Sequence, residues 1–331
     1  MAVSRVLMVI LVALASAAII FAQDPDDDPI RVDSAIVRLN VGVVDERGRP
    51  MTRLGPGDFK IFEDGIGQEI TRFEAAEAPF SVVMLLDMSG STKSFRQNIK
   101  LSASRFLDAL APGDRLAVVE FYSKINLLND FTTDRRRAAH SISVANGQGD
   151  TGFFKALEFA LEKLKAEQTR RKAIVVLTDG VDTGVQDEDR AVLLSVAEDA
   201  AATAIKPGES PTLNRILEMA DQQGVTIYPL ALPTGDPARL ADPTARQIAM
   251  YTAARERLKI VAARTGGTLN TINRLEEMGR LYAEVAADLR TLYTIEYSPS
   301  NLIRDGKWRA IRVMVGTPGL IPRTREGYFA K

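Results

Sequence analysis

Hydrophobic positions run along the chain in three rhythms. Near the start, Ile36, Val37, Leu39, Val41, Val43 and Val44 mostly alternate with polar neighbours, the period of a strand with one buried face. "DFKIFEDGIGQEITRF" continues as two short alternating runs around "EDGIGQ", where the Asp-Gly pair predicts a hairpin. After "EAAEAPF" the rhythm changes. The runs "SVVMLLD", "RLAVVEFYS", "AIVVLTDG" and "GVTIYPLAL" are apolar without alternation, as expected of strands covered on both faces. "KINLLNDF" is expected to pair beside the second of these, and "GGTLNT" reads as a short fifth strand. The third rhythm is helical. "TKSFRQNIKLSASRFLDALAPGD" repeats apolar residues through Phe95, Ile99, Phe106 and Leu110 and stops at Pro-Gly. Further helices are predicted over about 134–144, 153–166, 189–205, 211–223, 244–264 and 274–290. The tail turns to strands again at "LYTIEYSPS", "KWRAIRVMV" and "LIPRTREGYF", with turns at "RDGK" and "GTPG".

Buried strands alternating with helices define an α/β fold, a mostly parallel sheet with helices on both faces. Residues 79–290 form this domain. Residues 34–76 form a β unit too small to stand alone, and residues 291–331 a second one. The two are expected to pair as one small β domain, with the α/β domain inserted between them. Ahead of them, Arg5 and the apolar run Val6 to Ala22 have the form of a signal peptide, residues 1–22, cleaved near Ala22. An uncleaved anchor is the alternative, since the run approaches the length of a span. Residues 23–33 are an acidic, flexible leader. Either way the protein is expected to be exported, periplasmic or secreted, and no later segment is apolar enough to span a membrane.

Composition narrows the chemistry. Lys+Arg 42 against Asp+Glu 43 leaves no basic excess of the kind nucleic acid requires. With Cys 0, there is no disulfide, thiol nucleophile or cysteine-borne lipid anchor. The single histidine, His140, sits in "RRRAAHSIS" on what reads as an exposed helix, and "DRRR" as its solvated start. "GDTGFFKAL" has no Walker Lys-Ser/Thr. The acidic stretch 182–190, "DTGVQDEDR", reads as a solvated loop, since its spacing fits no calcium loop. Trp308 reads as packing rather than a binding platform.

What remains is a set of oxygens. "DMSGS" supplies Asp87, Ser89 and Ser91 at the end of one buried strand. A Gly-rich loop before a helix carries Thr151, and "VVLTDG" ends a second buried strand in Asp179. Ligands of open α/β sheets bind outside such carboxyl ends. An oxygen-only set suits Mg2+, Mn2+ or Ca2+ and disfavours zinc. Hydroxyls bound directly, with carboxylates acting through water, would leave the cation much of its charge. It would then seek an anionic oxygen on another molecule, an Asp or Glu of a protein partner.

"VVMLLDMSGS", Thr151 after its Gly-rich loop and "IVVLTDG" resemble the von Willebrand factor type A (VWA) domain and its metal-ion-dependent adhesion site. The five positions are filled in order by Asp87, Ser89, Ser91, Thr151 and Asp179. "VGVVDERGRPMTRLGPGDFKIFEDGIGQEITRF", "RTGG" and "LYTIEYSPS…DGKWRAIRVMV…REGYF" further resemble the acidobacterial-type VWFA-related secreted family, so the likeness covers about 35–331. The resemblance implies a Rossmann-like domain binding Mg2+ or a similar cation at the top of the sheet. It implies adhesion or protein recognition rather than catalysis. Gly152 departs from the large residue the family often carries after the Thr, which implies a more mobile loop. Two alternatives stay open: an assembly subunit of an envelope complex whose metal only stabilises the fold, and a metal-dependent hydrolase. The hydrolase would need a base, for which Glu120 and Asp182 are the carboxylates at hand.

Overall fold

The computed structural model describes residues 36–331, so the apolar run at 1–22 and the leader at 23–33 lie outside the described residues. The chain opens with β1 (Val37–Val44), β2 (Phe59–Glu63), β3 (Ile66–Gln68) and β4 (Ile70–Glu74). The α/β part follows as β5 (Phe80–Asp87), α1 (Arg96–Ala109), β6 (Arg115–Phe121), β7 (Ile125–Thr132), α2 (Arg135–Val144), α3 (Phe153–Lys165) and β8 (Arg171–Thr178). It continues through α4 (Thr183–Leu194), α5 (Ala201–Ala204), α6 (Pro211–Gln223), β9 (Thr226–Ala231), α7 (Ala245–Thr265), β10 (Asn270–Thr271) and α8 (Met278–Leu289). The last strands are β11 (Leu292–Tyr297), β12 (Trp308–Val315), β13 (Ile321–Arg323) and β14 (Gly327–Phe329).

Six strands form the central sheet in the order β10-β9-β8-β5-β6-β7, parallel except for β7, which runs antiparallel to β6. Every residue of β5 and β8 is buried. Alternate side chains of β5 feed opposite cores, because successive residues of a strand face opposite ways. Val82, Met84 and Leu86 pack with Phe106 of α1, Ile142 of α2 and Tyr282 of α8. Val83 and Leu85 pack with Leu157 of α3, Ile216 of α6 and Leu258 of α7. This double burial is why these runs lack alternation. Strand order changes direction at β5, whose chain proceeds to β6 on one side and later returns to β8 on the other. The crevice at the carboxyl ends of β5 and β8 is thus the switch point at which such sheets bind ligands.

The flanking strands make two four-stranded sheets, β13-β1-β11-β4 and β14-β12-β2-β3. Leu39, Val41, Tyr293 and Ile295 of the first share one core with Phe59, Ile61, Ile311 and Val313 of the second. The β2–β3 hairpin turns on Asp64 and Gly65, both at positive φ, the conformation Asp-Gly pairs adopt in two-residue hairpin loops. Trp308 is half-exposed on β12, edge-on to Phe329 at 5.1 Å and under the Arg264 guanidinium at 4.7 Å.

Three expectations need correction. Residues 182–190 are not a solvated loop: Asp182 caps α4, and Asp189 is buried in a bidentate pair with Arg257, at 2.6 and 2.7 Å. The helix expected over 189–205 therefore starts earlier and breaks after Leu194, resuming only as a short turn and α5. "LIPRTREGYF" is two strands in different sheets, because Thr324 and Arg325 carry the chain across, bonded to the carbonyls of Asn40 (2.8 Å) and Arg38 (3.1 Å).

Candidate metal centre

Register sets the geometry. Leu86 of β5 is level with Leu177 of β8, so Asp87 and Thr178 end neighbouring strands at the same height. Thr178 Oγ1 donates to Asp87 Oδ2 at 2.7 Å. The chain then turns over Asp87: the Ser89 N–H donates to Asp87 Oδ1 at 3.0 Å, and Thr92 Oγ1 to the Asp87 and Ser89 carbonyls at 2.8 and 3.1 Å. This tight turn stands Ser89 Oγ and Ser91 Oγ 3.2 Å apart. Asp179, one residue past β8, receives a hydrogen bond from the Val181 N–H at 3.1 Å. Asp87, Ser89 and Asp179 are buried, while Ser91 is exposed, so the cluster opens to solvent at Ser91.

Thr151 joins through its backbone. Its N–H donates to Thr183 Oγ1 and its carbonyl accepts from the Thr183 N–H, both at 3.0 Å. Asp182 beside it caps two helices, accepting from Phe154 N of α3 at 3.0 Å and Val185 N of α4 at 3.1 Å. Gly152 is held by its N–H to the Tyr122 carbonyl at 3.0 Å. The Gly90 N–H to Gly149 carbonyl bond, 2.9 Å, joins the Ser89 loop to the Thr151 loop.

Electrostatics mark the pair of carboxylates. Burial, then the neighbouring charge of Asp179, pushes Asp87 up to about 7, against the opposing hydrogen bonds from Ser89 and Thr178. Burial likewise raises Asp179, against the opposing effects of the Ser91 hydroxyl and the Val181 N–H. Among the described residues no lysine or arginine hydrogen bonds to either carboxylate. Two buried carboxylates without a basic partner are costly unless a cation completes them. The donor set fits such a cation, with oxygens from strand ends and loops and no nitrogen or sulfur. Among the described residues no group of three or more His, Cys, Asp or Glu could hold a metal, so a cation here would depend on the hydroxyls.

Several residues of the site carry no plain sequence signal. Thr178 adjoins Asp179 and could be found by asking what satisfies Asp87. Gly235 comes from a distant loop, and a Cβ there would lie 2.0 Å from the Asp179 carbonyl oxygen. Glu120 is no free base: Asn126 Nδ2 and the Asn146 N–H occupy its two oxygens at 3.0 and 2.6 Å. His140 is exposed on α2.

A parallel sheet with helices on both faces, one antiparallel edge strand and a hydroxyl-rich acidic cluster at the carboxyl ends of its central strands define an α/β domain with a candidate cation site. Residues 82–181 match the family model of the von Willebrand factor type A domain. Similar solved structures include a von Willebrand factor type A protein from Catenulispora acidiphila, at 14% identity and TM-score 0.49, covering 91% of this chain and 64% of that one. The vWF domain of the type V pili tip protein Mfa5 from Porphyromonas gingivalis matches at 15% identity and TM-score 0.48, covering 64% and 95%. An aerotolerance-related membrane protein from Bacteroides fragilis matches at 14% and 0.44, covering 63% and 98%. No curated protein matches the chain. Among the described residues no helix is long and apolar enough to cross a membrane.

Proposed function

We propose that the chain is a cation-dependent, non-enzymatic protein-binding module acting outside the cytoplasm. Asp87, Ser89, Ser91, Thr151 and Asp179 would hold a divalent cation, Mg2+, Mn2+ or Ca2+, and an Asp or Glu of a protein partner would complete it. The observation that carries this reading is the buried Asp87–Asp179 pair, to which no lysine or arginine hydrogen bonds among the described residues, next to two hydroxyls of which only Ser91 is exposed. Hard cations take such oxygens, and neutral hydroxyl donors leave the cation positive enough to attract an anionic oxygen. Against hydrolysis, Glu120 and Asp182 both have their oxygens committed to hydrogen bonds. Export rests on the apolar run at 6–22 in the sequence.

Bound Mn2+ offers a direct test through the relaxation of water protons. The chain is expected to bind Mn2+, with Asp87→Ala abolishing binding while the fold survives. An Asp-containing peptide is expected to lower the relaxation enhancement by displacing Mn2+-bound water, and an Asn-containing peptide to leave it unchanged. Binding of Mn2+ by Asp87→Ala as tightly as by the unmodified chain would sink the site. Equal response to the two peptides would sink the carboxylate partner and favour a metal that only stabilises the fold.

A further inference from the structure

Arg96 is the first residue of α1, and its guanidinium lies between the two loops that carry the hydroxyl residues. Nη2 donates to the carbonyls of Met88 at 3.1 Å and Ser89 at 3.4 Å on one loop, and to the carbonyl of Gly147 on the other. Nη1 donates to Asn146 Oδ1 at 2.9 Å. Asn146 is fixed from behind by Glu120, which accepts its N–H at 2.6 Å. Gly147 is wedged against Tyr122, where even a Cβ would lie 2.3 Å from the ring. The second loop is therefore an anchored surface, and the arginine fork ties the first loop to it.

We propose that Arg96 is a positioning residue for the cation, stapling the Ser89–Ser91 loop to the Thr151 loop so that both hold their spacing before a cation arrives. This rests on the metal reading of the site. A guanidinium does this because its donors are fixed in one plane, whereas a lysine offers one compact charge. The fork and the charge predict opposite outcomes. A positive charge near the site opposes a cation, so if charge were its main effect, Arg96→Gln would bind Mn2+ more tightly. The staple requires that Arg96→Gln and Arg96→Lys both bind it more weakly.

The experiment uses the full chain, with Mn2+ binding followed by electron paramagnetic resonance and amide exchange measured on the chelated protein. Both variants are expected to exchange faster than the unmodified chain at residues 88–92 and 145–151 without metal, and to melt cooperatively. Their Mn2+ affinity is expected to fall roughly 10–100-fold, the usual effect of removing a group that orients metal ligands. Unchanged exchange, or affinity within about twofold of the unmodified chain against that expectation, overturns the proposal and leaves the metal reading standing. An unmodified chain that binds no Mn2+ overturns both. If the Arg96 variants do not fold, Asn146→Ala at an exposed position substitutes for them. It is expected to weaken Mn2+ binding severalfold, and unchanged affinity there also overturns the proposal.

Discussion

At the scale of single residues, Asp87 is one source of pH sensitivity in the metal-free chain, beside the likewise raised Asp179 and Asp221. Its folded pKa, pushed up to about 7 by burial and by Asp179, lies above the ordinary 3.8. An acid shifted upward favours the folded state at low pH. That stability is fully present below about 3.8 and is lost as pH rises through about 7. Other carboxylates shift the opposite way, Asp45 under Arg49 and Asp305 under the Lys307 N–H, so the signature belongs in a difference. In chelator, Asp87→Asn is expected to be more stable than the unmodified chain by up to a few kcal/mol at neutral pH, with the gain vanishing near pH ~4. Urea midpoints across that window check it, and a gain that grows on acidification would contradict the assignment. Gly235 gives a second residue-level expectation. Gly235→Ala drives a methyl into the Asp179 carbonyl oxygen, 2.0 Å from the ideal Cβ. Destabilisation of about 1–3 kcal/mol, as for other overpacked sites, together with weaker Mn2+ binding, is the expected result by melting and titration.

At the scale of elements, Asp182 joins two helices that the sequence separates. Asp182→Ala uncaps α3 and α4 together and is expected to cost about 1–2 kcal/mol, read as a lower denaturant midpoint at constant slope. Asp182→Asn keeps one acceptor oxygen for the two N–H groups and is expected to recover at most one of the two caps. This double cap also shows where sequence reading ends. Strands β5 and β8 are legible because burial on both faces leaves unbroken apolar runs, and each run stops where an aspartate meets the sheet's edge. That Asp87, Ser89, Ser91 and Asp179 gather at one edge of the sheet is legible for the same reason, since all four lie at or just past the ends of these two neighbouring runs. The residues that position them are not. Asp182 reaches Phe154 across 28 positions, Arg96 reaches Asn146 across 50, and Arg257 meets Asp189 across 68. Composition alone makes 182–190 a solvated loop. Only the tertiary fold supplies the arginine that draws Asp189 inside.

At the scale of the whole molecule, the α/β sheet and the strand pair of β sheets meet at a few polar contacts. Arg171, at the start of β8, is the most buried charged group among them, at 2% exposure. It donates to the carbonyls of Leu292, Ala78 and, at 2.7 Å, Ala76, and lies 4.0 Å over the Phe80 ring. Burial lowers its pKa to about 10, yet it stays charged at neutral pH. Arg171→Met leaves those carbonyls unsatisfied and is expected to destabilise by about 2–4 kcal/mol, measurable by chemical denaturation. Asn40 makes a second link, donating to the Gly224 carbonyl at 3.0 Å and Thr226 Oγ1 at 2.8 Å. The pairing of β1 with β11 has a mechanical consequence. Val37 lies opposite Tyr297, so the chain leaves both strands at the same end of their ladder. Tension between the flanking segments would first strip β14, β12 and β13 from their partners, and only then open the β1–β11 ladder, with the Arg38–Glu296 ion pair on its second rung. The central sheet lies between β4 and β11 in the chain, so its own ladders are pulled in line only after these strands have parted. The sandwich would act as a fuse that lengthens first, while the crevice at the end of β5 keeps its shape.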